Sequence, residues 1–196
     1  FVFSLLYDKE GNLRSVESAI GFLTVLIDYH NALLASGHYN EISDFVSRVY
    51  GVDFRDKLSV GELSILGNEE LGFLYDDEGN VRDAEKSIEF LKLASVFDEA
   101  YNALNPAQQY KVDSILSFAF EGLALSDGLT PTELKILGNA DYGIIYKAAN
   151  EPRFTDLIGA SEVMRFYVAA AEFQAASTDA SDELLADIFR SEEHTS

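Results

Sequence analysis

The segment LSVGELSILGN at residues 58–68 returns as LTPTELKILGN at residues 129–139, with seven of eleven positions identical at a spacing of 71. A second segment, LYDKEGNLR at residues 6–14, returns as LYDDEGNVR at residues 74–82, with seven of nine positions identical at a spacing of 68. Self-similarity at a nearly constant period is typical of tandem repeats. The chain is therefore predicted to consist of related units of 68 to 71 residues.

The two spacings divide the chain into three units, at residues 1–57, 58–128 and 129–189. We expect the first unit to be truncated, because the counterpart of Leu58 would fall ten residues before the chain begins. The second unit is complete, and the third diverges after Arg153. A unit of this size buries only about 60% of the surface that its unfolded chain exposes. Stacking of neighbouring units would supply the missing burial.

The last seven residues, RSEEHTS at 190–196, match the translation of a short-read sequencing adapter. We interpret this segment as non-native, in preference to an ordinary polar tail, and assign it no function. The chain is accordingly expected to be a fragment of a longer reading frame.

Both copies of the first segment carry the signals of a short helix. A hydroxyl residue is followed three positions later by glutamate, which is the capping-box pattern of a helix start. Each copy ends in Gly-Asn, a common helix end. We predict short helices over about 59–66 and 130–137. The acidic Gly-Asn segment that follows predicts a tight turn or a small hairpin.

Two longer helices are predicted after each turn, because apolar residues recur at the i, i+3, i+4, i+7 spacing. In the second unit, the first of these helices carries an apolar stripe at Phe90, Leu93, Ala94, Phe97, Ala100, Tyr101 and Leu104. Asn105-Pro106 then predicts the start of a further helix that runs to about Leu123. In the first unit, the stripe is assigned to Ile20, Leu23, Ile27 and Leu34. The predicted fold is mainly α, with tandem three-helix repeats stacked as a short array.

The composition excludes several classes of partner and site. The formal net charge is −20, from 34 acidic and 14 basic residues, and such a chain repels nucleic acid and anionic lipid. A protein or cationic partner is favoured instead. The absence of cysteine removes disulfides and thiolate zinc sites. The longest apolar stretch, residues 19–27, is shorter than the roughly 20 residues of a membrane span. The compartment is left open, with a secreted or cell-surface location favoured.

The acidic turns are the one place where the sequence suggests a ligand. Calcium binds six to eight oxygen atoms, which alternating acidic residues in a glycine-containing loop can supply in part. The candidate ligands are Asp8, Glu10, Asn12 and Glu17 in the first unit, and Asp76, Glu78, Asn80 and Glu85 in the second. The third unit has Lys147, Ala148 and Ala149 in their place. A structural turn without metal is the favoured interpretation, and no other cofactor is expected.

No signature of a dinucleotide site, a phosphate-binding loop, a zinc protease or a serine hydrolase occurs in the chain. The expected function is therefore a non-enzymatic helical repeat segment of a larger protein, acting as a spacer or a protein-interaction surface. One alternative is a calcium-responsive extracellular module, and another is a small carboxylate-dependent hydrolase. The recurring tyrosines are interpreted as anchors of the turns, with carbohydrate stacking as the alternative; they are Tyr7, Tyr75 and Tyr146.

Overall fold

The computed structural model describes residues 15–76, 80–120, 123–147 and 151–193 of the chain. Within these ranges the protein is mainly helical, as predicted, and contains no β-strand. The α-helices are α1 (Val16–Ala35), α2 (Tyr39–Tyr50), α3 (Val60–Leu66), α4 (Ala84–Asn102), α5 (Pro106–Ala119), α6 (Pro131–Gly138) and α7 (Leu157–Glu193). Short 3-10 helices follow α3 and α6, at Glu69–Leu71 and Ala140–Tyr142.

The capping boxes predicted from the sequence start α3 and α6. The Ser59 hydroxyl accepts the backbone N–H of Glu62 at 3.2 Å, and the Glu62 carboxylate accepts the backbone N–H of Ser59 at 2.7 Å. Thr130 and Glu133 make the same pair of bonds at 3.4 and 2.7 Å. Each box satisfies N–H groups that have no partner inside the helix. The short helices therefore begin where their local sequence dictates.

Each short helix leads into the same kind of turn. Tyr75 pairs with Val81 in an isolated antiparallel bridge, and 71 residues later Tyr146 pairs with Pro152. Gly72 and Gly143 each lie three residues before the bridging tyrosine. Both have a backbone φ of +65°, which residues with a Cβ atom rarely adopt. Both bridging tyrosines are partly buried against the core, in agreement with their interpretation as anchors.

The long helices pack in a stepwise order along the chain. Helices α1 and α2 both contact α4, and helices α4 and α5 both contact α7. Polar bonds cross the first of these contacts: the Tyr29 hydroxyl lies 2.7 Å from Ser87 Oγ, and Arg48 Nη1 lies 2.9 Å from Asp98 Oδ2. The apolar stripe predicted on α4 is confirmed, since its members are buried or packed against the core.

The stripe assigned to α1 from the sequence is wrong. Ile20, Leu23, Ile27 and Leu34 are all exposed. The buried residues of α1 are instead Phe22, Val25, Leu26, Tyr29 and Leu33, which lie 68 positions before stripe residues of α4. Apolar residues surround most of α1, so two faces satisfy the helical period equally well. Only the neighbouring helices decide which of the two is buried.

The third unit also differs from the predicted three-helix pattern. The single helix α7 spans the region where the second unit has the two helices α4 and α5. The second unit breaks at Asn105-Pro106, because proline inside a helix removes a hydrogen bond and clashes with the preceding turn. Residues 157–193 contain no proline, so no such break interrupts α7.

Helix α1 is long and apolar enough, by length and composition, to cross a membrane. In the fold it packs on α2 and α4, and Tyr29 and Leu33 are almost fully buried. The core helix of a folded domain passes the same test of length and composition, so this property does not separate the two environments.

Candidate functional site

A groove of about 590 Å³ lies between the turn of the second unit, the first half of α4, and α6. Three of the chain's 14 basic residues line it, together with three acidic and four aromatic residues. The charged residues are Arg82, Lys86, Lys135, Asp76, Asp83 and Glu89, and the aromatic residues are Tyr50, Phe73, Phe90 and Tyr146. The groove therefore combines both signs of charge with an apolar surface, on a protein that is otherwise strongly acidic.

Gly72 allows the basic side chains of the groove to come close to the backbone. A Cβ atom added at Gly72 would lie 2.7 Å from Lys135 Cε and 3.6 Å from Arg82 Nη2. Arg82 Nε donates to the carbonyl oxygen of Tyr75 at 3.0 Å, which fixes the guanidinium beside the turn. In the third unit, Arg153 Nε donates to the carbonyl oxygen of Gly143, which corresponds to Gly72 and not to Tyr75. Each arginine thus binds a backbone carbonyl of its own turn, but at a different position.

Aromatic rings form the apolar part of the groove and connect it to the first unit. The ring centroid of Phe73 lies 4.9 Å from that of Tyr50 and 5.6 Å from that of Tyr29. The rings of Phe90 and Tyr146 stack with centroids 6.3 Å apart. Burial raises the pKa of Tyr50 and of Tyr146 to about 12. Both phenols therefore remain neutral well above physiological pH.

The acidic side chains of the groove are partly engaged with the backbone. Asp83 caps α4 by accepting the backbone N–H of Lys86 at 3.0 Å. Asp76 accepts the backbone N–H of Asn80 at 2.8 Å. A hydrolase with a carboxylate pair would need its carboxylates for proton transfer or attack on substrate. Two of the three groove carboxylates instead hold backbone groups of the turn and the helix start.

The calcium ligands predicted from the sequence are placed as follows. Asp8, Glu10, Asn12 and Glu78 lie outside the described residues. Glu17 and Glu85 lie in the first turns of α1 and α4. Asp76 and Asn80 are brought together, with the Asn80 amide nitrogen 3.1 Å from Asp76 Oδ2. In the part of the chain that the structure describes, no group of three or more His, Asp or Glu side chains is arranged to hold a metal ion.

Three further carboxylates have roles that the sequence analysis missed. Glu62 accepts the backbone N–H of Asp53 at 2.9 Å, and Glu133 accepts that of Ala124 at 3.4 Å, so each ties its helix to a residue nine positions earlier. The bonds from Asp53 and Ser59 lower the pKa of Glu62. Burial raises the pKa of Asp98, although Arg48 opposes the shift. Glutamate recurs in both capping boxes, and this recurrence is the only feature of the sequence that indicates the hydrogen bonds to Asp53 and Ala124.

Comparison of the chain with protein-family models, with curated proteins and with solved structures finds no match. Function is therefore inferred from the chain itself: from the stepwise packing of its helices, and from the charges, rings and hydrogen bonds of the groove.

Proposed function

We propose that this chain is a non-enzymatic helical repeat segment that presents a protein-interaction surface. Its units, at residues 1–57, 58–128 and 129–189, stack on one another, and the groove between the second and third units receives a segment of a partner protein. The observation that carries this proposal is the recurrence of one short helix and turn at a spacing of 71, joined to neighbours by the same kind of helix packing.

The stacking of units is supported by positions that correspond between them. The capping boxes at Ser59 and Thr130 have the same bonds, and Gly72 and Gly143 have the same backbone φ of +65°. The contact of α1 and α2 with α4 resembles the contact of α4 and α5 with α7. In repeat proteins each unit contacts mainly its neighbours, and the stacked units form extended surfaces for binding. A role as a spacer follows from the same organisation.

The groove's composition indicates the kind of partner. The net charge of −20 attracts basic proteins and raises their rate of encounter. Within the groove, Glu89 can pair with a basic side chain, while Lys86 and Lys135 suit the carbonyl or carboxylate groups of a peptide. Phe90 and Tyr146 supply the rigid aromatic surface on which peptide side chains commonly bind. A basic segment with an aromatic or aliphatic anchor fits these features.

A peptide-display selection tests this proposal. We expect immobilised wild-type chain to enrich basic peptides from a random 12-residue library, and expect Glu89→Lys to reduce their binding at least tenfold, a loss of about 1.4 kcal/mol, because Glu89 lines the groove and would pair with a basic side chain. The matched control is Glu172→Lys on α7, because Glu172 is also acidic but pairs with Lys111 on the surface, away from the residues that line the groove. If the enriched peptides bind both variants as tightly as the wild type, the groove is not their binding site, and only the role of spacer remains.

The calcium-responsive alternative is tested by thermal unfolding with calcium and with a chelator. A ligand at 100 times its dissociation constant stabilises the fold by about 2.7 kcal/mol. We expect the two unfolding curves to coincide, because hydrogen bonds between Asp76 and Asn80 already close the turn without a cation. A melting temperature that rises by several degrees with calcium, and does not rise with magnesium, would instead support the alternative.

A further inference from the structure

One face of α1 is apolar and exposed. Ile20 and Ile27 are each 58% exposed. The helix contains few charged residues, so it lacks the polar face that a solvent-exposed helix normally has. An exposed contiguous apolar face usually marks an interaction site. The residues of this outer face of α1 are Val16, Ile20, Leu23, Ile27 and Leu34.

The corresponding face of α4 is covered in the same molecule. Ile88 and Leu91 lie 68 positions after Ile20 and Leu23, and each is only 4% exposed. Ser87, on the same face of α4, is bonded to Tyr29 of α1. Helices α1 and α2 therefore cover this part of α4, whereas the corresponding residues of α1, Ile20 and Leu23, are exposed.

The outer face of α1 is more apolar than the corresponding face of α4. Ile27 corresponds to Ser95, which is half-buried on α4, and Leu34 corresponds to Asn102, which is exposed there. If the face were permanently in water, the reverse difference would be expected, since exposed apolar area is unfavourable. The composition of α1 thus favours a partner that removes this face from solvent.

We infer that the outer face of α1 binds a preceding pair of helices of the same repeat type, packed on α1 as α1 and α2 pack on α4. This inference rests on the repeat organisation in the proposed function. The expected occupant is an amphipathic helix pair. Its buried face should resemble that of α1, which consists of Phe22, Val25, Leu26, Tyr29 and Leu33.

An extended chain tests the inference. Residues 15–68 are fused directly ahead of Phe1, because residue 69 corresponds to residue 1 at the spacing of 68 and the junction therefore continues the repeat. The fusion supplies one added helix pair, and Ile20→Asp is then introduced at the original Ile20, both in the extended chain and in the original one.

We expect Ile20→Asp to lower the melting temperature by more than about 5 °C in the extended chain, where it would bury an unpaired charge. In the original chain the same substitution should change it by less than about 2 °C. The matched control is Ile158→Asp, at a position on α7 that is 75% exposed. It should have a small effect in both chains.

Several results would overturn the inference. Equal effects of Ile20→Asp in the two chains would show that the added helices do not cover this face. If circular dichroism still shows the added helices folded, the repeat proposal survives that result, whereas added helices that stay unfolded would count against both. If light scattering shows a doubled mass that Ile20→Asp abolishes in the original chain, the face binds a second copy instead. If the original chain binds phosphatidylcholine vesicles and Ile20→Asp abolishes that binding, the face binds lipid instead.

Discussion

Replacing Phe73 with alanine is expected to lower the free energy of unfolding by about 3–5 kcal/mol, the usual cost of removing a buried phenylalanine side chain. Phe73 follows the short helix of the second unit and is only 3% exposed. Its ring centroid lies 4.9 to 5.9 Å from those of Tyr29, Tyr50 and Phe54, all of which belong to the first unit. The substitution would leave a cavity where the two units meet, and chemical denaturation of the purified chain measures the loss.

The control for this prediction is Phe118→Ala on α5. Phe118 is the same type of residue but is 76% exposed, so its removal is expected to cost less than about 0.5 kcal/mol. A cost below about 1 kcal/mol for Phe73→Ala would mean that the two units do not depend on this ring for their contact.

Replacing Glu133 with alanine is expected to cost about 2–3 kcal/mol, since it removes a charged acceptor of two backbone N–H groups, one of which belongs to the capping box of α6. The Glu133 carboxylate accepts the backbone N–H of Thr130 at 2.7 Å and that of Ala124 at 3.4 Å. The side chain is one of the few charged ones that the described part of the fold buries. Loss of both bonds frees the start of α6 from the loop before it, and the same denaturation experiment measures the effect.

Two further variants separate the effect of the hydrogen bonds of Glu133 from the effect of its negative charge. Glu133→Gln keeps one acceptor oxygen, so it is expected to recover part of the stability that alanine loses. Glu151→Ala removes a carboxylate from an exposed ion pair with Lys147 and is expected to cost less than about 0.5 kcal/mol. Equal losses for Glu133→Ala and Glu151→Ala would contradict the cap and the tie to Ala124.

Much of the fold could be predicted from the sequence because its signals are local. A capping box acts within four residues, so the starts of α3 and α6 follow from Ser59 and Thr130 with no knowledge of the tertiary structure. The regular stripe on α4 and the proline at the start of α5 are local signals of the same kind. These elements establish the mainly helical class.

The groove could not be predicted, because its members are distant along the chain. Arg82 lies at the turn of the second unit, whereas Lys135 lies on α6 of the third, and only the packing of the two units brings them together over Gly72. The calcium prediction rested on the spacing of acidic residues in a glycine-containing loop. The described part of the turn adds that Asp76 bonds to Asn80, which that spacing does not reveal.

The sequence by itself determined the helical class and the starts of the short helices, since each start depends on hydrogen bonds within a few residues. The tertiary structure alone decided which face of α1 is buried. Apolar residues on that helix satisfy the 3.6-residue period on two sides, and the free energy of burial is proportional to area and has no preferred direction. The contact with α4 therefore selects Tyr29 and Leu33 for the core and leaves Ile20 and Ile27 on the surface.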